Sequence, residues 1–313
     1  MNAVAPQLIA GRIVAAHGRH HVVKSDAGER LVCFTRGKKS VAACGDRVDV
    51  QRTGIGQGVL VAIQARASLM SRSDGFRTKL VAANVTQVLI IVATAPPFSE
   101  DLLGRTLVAA ETLAIPARIV LNKTDLIEGL AAARARLAPY RALAYPVDEI
   151  SLRTARGAAH ASLIAHLAGH TTLLVGQSGM GKSSLLNLLV PDAEAATREI
   201  SEALQTGKHT TTDARLYDLP ALHDVDGAPG AAGSVIDTPG FQEFGLAHLS
   251  PGEIERAFPE LRPFLGQCRF YNCSHLAEPG CAVREAVQRG KVRERRYALF
   301  ETLTRESSAF RTR

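Results

Sequence analysis

Apolar positions along the chain fall into two rhythms. Between residues 8 and 66 they come in short runs, LIAGRIVAA, HHVVKS, RLVCFT, DRVDVQ and GVLVAIQA, separated by the turn-forming stretches DAGE, GD and TGIGQG. Such runs predict about five short strands. From about residue 80 longer units alternate. VTQVLIIVATA (85–95) reads as a buried strand and SEDLLGRTLVAAETLA (99–114), with its acidic first turn, as a helix. Strand PARIVL (116–121), helix DLIEGLAAARARLAPY (125–140), strand RALAYPV (141–147), helix AAHASLIAHLAG (158–169) and strand TTLLVG follow, and a further helix starts at KSSLLNLL (182–189). Residues 192–217 lack apolar periodicity, and DLPALHDVDGAPGAAG (218–233) reads as a surface loop. Helical pieces, a Cys/His cluster and a basic helix close the chain.

Five strands in about 60 residues predict a small β-barrel. The five-stranded OB type fits, with an SH3-like barrel as the alternative. The alternating middle predicts a mostly parallel sheet covered on both faces. The expected organisation is therefore a barrel over 1–67, an α/β domain over 68–248 and a mainly helical C-terminal domain over 249–313.

Composition narrows the class. The 313 residues are 46% hydrophobic and 21% charged, as in soluble globular proteins. The longest apolar run, VLIIVATA (88–95), is strand-sized and too short to span a bilayer. The N-terminal stretch lacks the pattern of a signal peptide, so a cytoplasmic location is expected. Charge is uneven. Residues 1–66 carry ten Lys/Arg against four Asp/Glu, and 282–313 carry nine against four, while the whole chain is +7. The centre is thus net acidic between basic flanks, a distribution that suits contact with a polyanion.

The chemistry is concentrated in the centre. GQSGMGKS spans Gly176, Gln177, Ser178, Gly179, Met180, Gly181, Lys182 and Ser183, with Ser184 next, between a strand and a helix. Its glycines let backbone N–H groups surround phosphate oxygens, and the following helix presents its positive end. Lys182 adds charge between the β- and γ-phosphates, and the Ser183 hydroxyl can ligate Mg²⁺. DTPG (237–240) ends a strand. Asp237 suits the Mg²⁺ shell and the Gly240 N–H the γ-phosphate. NKTD (122–125) supplies a guanine reader, since Asp125 can accept from guanine N1–H and the exocyclic amine, donors that adenine lacks there. Asn122 ties loops together near the base and the Lys123 stem lies along the ring; as an alternative, Asp125 caps the next helix. A further base loop is expected in ISLRTARG, with backbone contacts from Ser151 and Leu152. Rotating the order NKTD, ISL, GQSGMGKS, HTT, DTPG gives phosphate loop, switch threonine, DTPG, base reader and base loop. That is a circular permutation of a GTP-binding fold, and it costs little where the original ends lie close together.

In many GTPases a Gln after the DxxG motif orients the attacking water; here Phe241 follows DTPG. Slow intrinsic hydrolysis is expected, with His209 as the catalytic candidate and Thr211 as the switch Mg²⁺ ligand, rivalled by Thr210 and Thr212. Cys268, Cys273, His275 and Cys281 form C-x₄-C-x-H-x₅-C, which suits one tetrahedral, structural Zn²⁺. Cys33 and Cys44 read as core residues. RNA contact is expected at Arg36, Lys38 and Lys39 in the barrel and at Arg293, Arg295 and Arg296 in the last helix, through phosphates and shape.

Together AANVTQVLIIVA, LNKTDL, GQSGMGKSSLLN, GKHTTT, DTPGF, CRFYNCSH…EPGCAV and the terminal RRY resemble the ribosome small-subunit-dependent GTPase A (RsgA) family of circularly permuted GTPases over nearly the whole chain. The chain departs from the family pattern at Thr86, in the loop 218–233 and in its short N-terminus. The resemblance implies an OB-fold, a permuted GTPase and a zinc domain. It also implies GTP hydrolysis to GDP stimulated by the small (30S) ribosomal subunit, with rRNA as partner, in late maturation of that subunit. We expect a monomer. An RNA-binding placeholder that uses GTP only as a switch is the alternative; a GTPase acting on tRNA or a membrane complex has no supporting motif.

Overall fold

In a computed structural model of the protein, residues 8–35, 41–73, 77–193, 214–220, 232–238 and 244–312 are described. The first rhythm folds as a closed barrel of OB type: β1 (Leu8–His17), β2 (His20–Ser25), β3 (Arg30–Thr35), β4 (Arg47–Gly54) and β5 (Gln57–Ile63). Strand β1 pairs with both β2 and β4, and β3 runs parallel to β5, which closes the ring. A bulge between Ile13 and Ala15 bends β1 between its partners. Alternate residues Ile13, Val23, Leu31, Cys33, Val48 and Val50 fill the barrel, so Cys33 is core, as its spacing predicts.

A hairpin absent from the sequence reading, β6 (Leu69–Ser73) with β7 (Thr78–Ala83), follows the barrel. It grips the stretch beyond DTPG: the Ser73 N–H donates to the Gly245 carbonyl at 2.9 Å, and Ser71 Oγ meets His248 Nε2 at 3.2 Å.

The second rhythm builds β8 (Gln87–Ala93), α1 (Glu100–Thr112), β9 (Ala117–Asn122), α2 (Leu130–Ala142), β10 (Val147–Glu149), α3 (Arg156–Leu167), β11 (Thr171–Val175), α4 (Lys182–Leu189), β12 (Arg215–Asp218) and β13 (Ser234–Asp237). The strand order is β10-β9-β8-β11-β13-β12, parallel except for β12. Every residue of β8 is buried, as befits a strand covered on both faces. The phosphate-loop strand β11 lies between β8 and β13, so the rotated motif order becomes an ordinary spatial order. Among the described residues one strand pairing, Ala15 with Arg215, joins barrel and sheet, and Arg12 reinforces it by donating to Thr171 Oγ1 at 2.7 Å and Ser234 Oγ at 3.1 Å.

Two boundaries differ from expectation. The strand expected over 141–147 begins only at Val147: α2 runs on to Ala142, Ala144 turns the chain at φ 64°, and Pro146 has no N–H for a ladder. The helix expected from Asp125 starts at Leu130, after Gly129 at φ 84°. Asp125 is therefore not its cap.

Beyond 249 the chain is mainly helical: α5 (Pro251–Arg256), a 3₁₀ turn (Arg262–Phe264), α6 (Ala282–Gln288) and α7 (Glu294–Arg311). A capping box of Ser250 and Glu253 starts α5. Phe258 and Phe300 meet edge to face at 5.7 Å in the core. Helix α7 also lies on α1, where Leu299 packs at Gly104 and Arg105 binds Glu306 bidentately at 2.7 Å. Among the described residues no helix is long and apolar enough to cross a membrane.

Candidate nucleotide site and zinc cluster

The loop 176–181 leaves β11 and enters α4 at its C-terminal edge, where ligands of open α/β sheets bind. Gly181 has φ 100°, and a Cβ there would collide with the Asn122 amide. Only glycine allows that approach. Gln177 leans outward, its Oε1 accepting from the Ser99 N–H at 2.6 Å. Ser99 also caps α1 by accepting from Leu102 N–H, so the phosphate loop is tied to the start of α1. Ser178, Gly179, Ser183 and Ser184 are exposed, while Met180 is buried beneath the loop.

Three loops converge through Asn122, which is buried at the end of β9. Its Nδ2 donates to the Met180 carbonyl at 2.9 Å, and its Oδ1 accepts from the Leu152 N–H at 3.2 Å. Lys123, at φ 63°, donates from Nζ to the Ala95 carbonyl at 2.8 Å, which lays its stem across the loop. Ser151 Oγ donates to Asp125 Oδ1 at 2.6 Å. That bond holds the Asp125 carboxyl below its usual range and orients it, leaving acceptor capacity for a base edge. The NKTD and ISL motifs thus form one surface with the phosphate loop.

At the start of α4, Lys182 Nζ donates to Asp237 Oδ1 at 3.2 Å and to the Thr238 carbonyl at 2.5 Å. Burial pushes the Asp237 carboxyl up, against the pull of Lys182. The donor set of Ser183 hydroxyl and Asp237 carboxylate fits a hard divalent cation such as Mg²⁺. His209, Thr211 and Gly240 lie outside the described residues, as do Arg36, Lys38 and Lys39.

Cys268, Cys273, His275 and Cys281 come together with their ligand atoms within 4.8 Å of one another. His275 Nδ1 is 3.4 Å from Cys268 Sγ and 3.5 Å from Cys281 Sγ, and those two sulfurs are 3.9 Å apart. These separations and the soft donors fit a tetrahedral zinc. His275 Nε2 faces Glu255 Oε2 at 3.4 Å, which leaves Nδ1 for the metal. His275 adopts φ 61°, and its carbonyl accepts from the Tyr297 hydroxyl of α7 at 2.7 Å. Glu278 accepts from Ser274 N–H at 2.8 Å and Ser274 Oγ at 2.6 Å, with weaker bonds from the N–H groups of Leu276 and Ala277. These bonds pull its carboxyl down to about 2.

One expected RNA contact is corrected. Arg296 is 5% exposed and binds Glu260 at 2.6 Å, with its guanidinium over the rings of Phe258 and Tyr140. It is a largely buried cation committed to Glu260 and the ring faces. Arg293 and Arg295 are exposed, and Arg295 pairs with Glu100 at 3.2 Å.

Ser99 and Glu255 were missed in the sequence, and Tyr297 entered only as part of the RRY motif, without a role. Only Ser99 carried a local signal, as a Ser before an acidic first turn. Glu255 and Tyr297 reach His275 from the helices that precede and follow the Cys/His cluster.

Comparison with known proteins agrees with this geometry. The family model described as RsgA GTPase matches residues 63–247. A curated relative from Paraburkholderia phytofirmans, named small ribosomal subunit biogenesis GTPase RsgA, is 58% identical over 96% of this chain and 94% of its own. Among solved structures, YjeQ from Thermotoga maritima aligns at TM-score 0.69 and 30% identity over 96% of this chain and 99% of that one. YloQ, described as a circularly permuted GTPase, aligns at 0.64 and 27% over 96% of both. With more than half its length in the family model and a close relative along almost all of it, the chain belongs to the RsgA GTPase family.

Proposed function

We propose that the protein binds the small ribosomal subunit, hydrolyses GTP when that subunit stimulates it, and assists its late maturation in the cytoplasm. The observation that carries this reading is the Asn122 junction, which fastens the guanine loop, the base loop and the phosphate loop into one site. The names of the curated relatives supply the ribosomal context.

In this reading Asp125 reads guanine, the 176–184 backbone and Lys182 hold the phosphates, and Gly240 contacts the γ-phosphate. Ser183 and Thr211, with Asp237 nearby, would hold Mg²⁺, which would supply positive charge for the phosphates. Phe241 offers no donor or acceptor to water, so hydrolysis is slow until the subunit brings His209 or a group of its own to the attacking water. Cys268, Cys273, His275 and Cys281 would hold one zinc, which would be structural, because four protein ligands would fill its shell. Arg36, Lys38, Lys39, Arg293 and Arg295 contact rRNA phosphates. The barrel, GTPase and C-terminal units divide near 67 and 248, and the protein acts as a monomer.

GTP turnover measured alone, with small subunits, with large subunits and with free tRNA tests the proposal. Stimulation by small subunits alone is expected; equal stimulation by large subunits, or none, refutes it. Phe241 also favours a second reading, in which GTP serves only as a binding switch. A Ser183→Ala protein that binds GTP without hydrolysing it and still completes maturation would establish that reading.

A further inference from the structure

We infer that the short loop between Cys268 and Cys273 is a stacking site for one unpaired RNA base, with Tyr271 as its platform. The inference deepens the proposed rRNA partnership and rests on it.

Two zinc-cluster cysteines pin the ends of Arg269-Phe270-Tyr271-Asn272. Tyr271 is 102% exposed and Phe270 42%, and they are the only sequence neighbours among the described large exposed apolar side chains. A single exposed apolar side chain needs no explanation. Two adjacent rings on a tethered frame are different. Arg269 N–H donates to the Gly280 carbonyl at 3.0 Å and Cys273 N–H to the Phe270 carbonyl at 3.3 Å. Glu278 ties down the next turn through Ser274. A ring on such a frame loses little freedom when it is covered, so more of the stacking energy survives as affinity.

The surroundings favour a nucleotide over a protein. The Arg269 guanidinium sits 5.5 Å from the centre of the Phe270 ring, and no carboxylate pairs with it among the described residues. It is free to meet a phosphate beside the base. Phe270, Tyr271 and Asn272 line a cleft of about 350 Å³ that borders the Cys268, Cys273 and His275 cluster and also includes Pro251, Glu255 and Ser274. The Asn272 amide both donates and accepts, as reading a base edge requires. Two rings interleaved with Arg269, Asn272 and Ser274 offer a base face, a phosphate partner and hydrogen-bonding groups side by side, the combination a nucleotide uses. Duplex RNA hides its base faces, so the occupant is a base in a loop or bulge.

The test uses the full-length, zinc-loaded protein and two RNA probes: a hairpin with an adenosine loop carrying one 2-aminopurine, and a blunt duplex of the same stem. Wild type is expected to prefer the hairpin and quench the 2-aminopurine. Tyr271→Ala should weaken hairpin binding about tenfold, as loss of one base stack does. Duplex affinity, zinc content and GTP turnover should stay unchanged, and Tyr271→Trp should restore hairpin binding and quenching. Equal losses on both probes, or no loss on either, overturn the inference; the second result would assign the rings to a protein. Stimulation of the wild type by small subunits is measured separately. Its absence with hairpin preference intact overturns the ribosomal reading and leaves the base site standing.

Discussion

Asn122 and Met180 are 58 residues apart in sequence and joined by a 2.9 Å hydrogen bond from the Asn122 Nδ2 to the Met180 carbonyl. The same side chain accepts from Leu152, so one buried amide sets the spacing of the base and phosphate loops. Asn122→Ala strands a buried carbonyl and a buried N–H, each costing about 1–3 kcal/mol. GTP and GDP affinity should both fall by roughly tenfold or more. Titration with a fluorescent guanine nucleotide checks this, and unchanged affinity would remove Asn122 from its joining role.

Asp125 tests base choice alone. Its carboxylate accepts from Ser151 and has no bond to the phosphate loop among the described residues. Asp125→Asn exchanges an acceptor for a donor, which mismatches guanine and suits the C2 carbonyl of xanthine. GTP turnover should collapse and XTP turnover should appear. Competition between the two nucleotides gives the readout, and retained GTP preference would contradict the assignment.

Asp237 sets function against stability. Burial outweighs the attraction of Lys182 and raises its pKa in the folded protein. A raised carboxyl contributes stability below its unfolded pKa of about 3.8 and loses it as pH rises through the folded value. Asp237→Asn keeps the neutral form at every pH. Nucleotide-free Asp237→Asn should therefore melt above wild type at neutral pH and alongside it below about pH 3.8, while losing hydrolysis. Thermal melts across that range decide it; a lower melting temperature at pH 7 would mean that the Lys182 pair dominates.

The Cys268, Cys273, His275 and Cys281 cluster gives a second pH dependence if it holds zinc. Without metal, burial and the neighbouring Cys268 and Cys281 raise the Cys273 thiol, so zinc must displace its proton. Zinc affinity should climb with pH, and acid should strip the metal. Chelation or Cys273→Ser should lower the melting temperature of the C-terminal helices, which pack round the cluster through Tyr297 and Phe300. Metal analysis with melting curves measures both effects.

The convergence of the loops at the candidate nucleotide site was legible because phosphate and base loops need particular residue types at fixed spacing, and strand and helix periodicities flank them. The barrel was legible because each strand alternates over one small core. Hairpin β6–β7 escaped notice because LMSRS and TKLVAA are short, and partly held by contacts with 244–248 that no local pattern announces. Strand β10 was misplaced because RALAYPV looks apolar enough for a strand, while helix α2 claims its first residues and Pro146 bars the ladder until Val147. Arg296 shows the general limit. In sequence it is one of three arginines in RERR; only packing turns it inward.

Arg296 therefore separates structure from binding. Its guanidinium meets Glu260 at 2.6 Å, and the two side chains are 5% and 7% exposed. Removing the cation leaves a buried carboxylate unpaired, at a cost of about 3–5 kcal/mol. The Phe258 and Tyr140 rings lose their cation–π partner as well. Arg296→Ala should lower the melting temperature sharply, whereas Arg293→Ala and Arg295→Ala should leave it nearly unchanged, because exposed pairs such as Arg295–Glu100 contribute little. Subunit binding should respond in the opposite sense. The exposed pair of substitutions should weaken binding and flatten its salt dependence. Arg296→Ala, held at a temperature where it stays folded, should bind with the wild-type salt slope. A double change, Arg296→Met with Glu260→Gln, removes both charges and should recover part of the lost stability. If that double variant melts no higher than Arg296→Ala, the ion pair is not what holds α7 against this core.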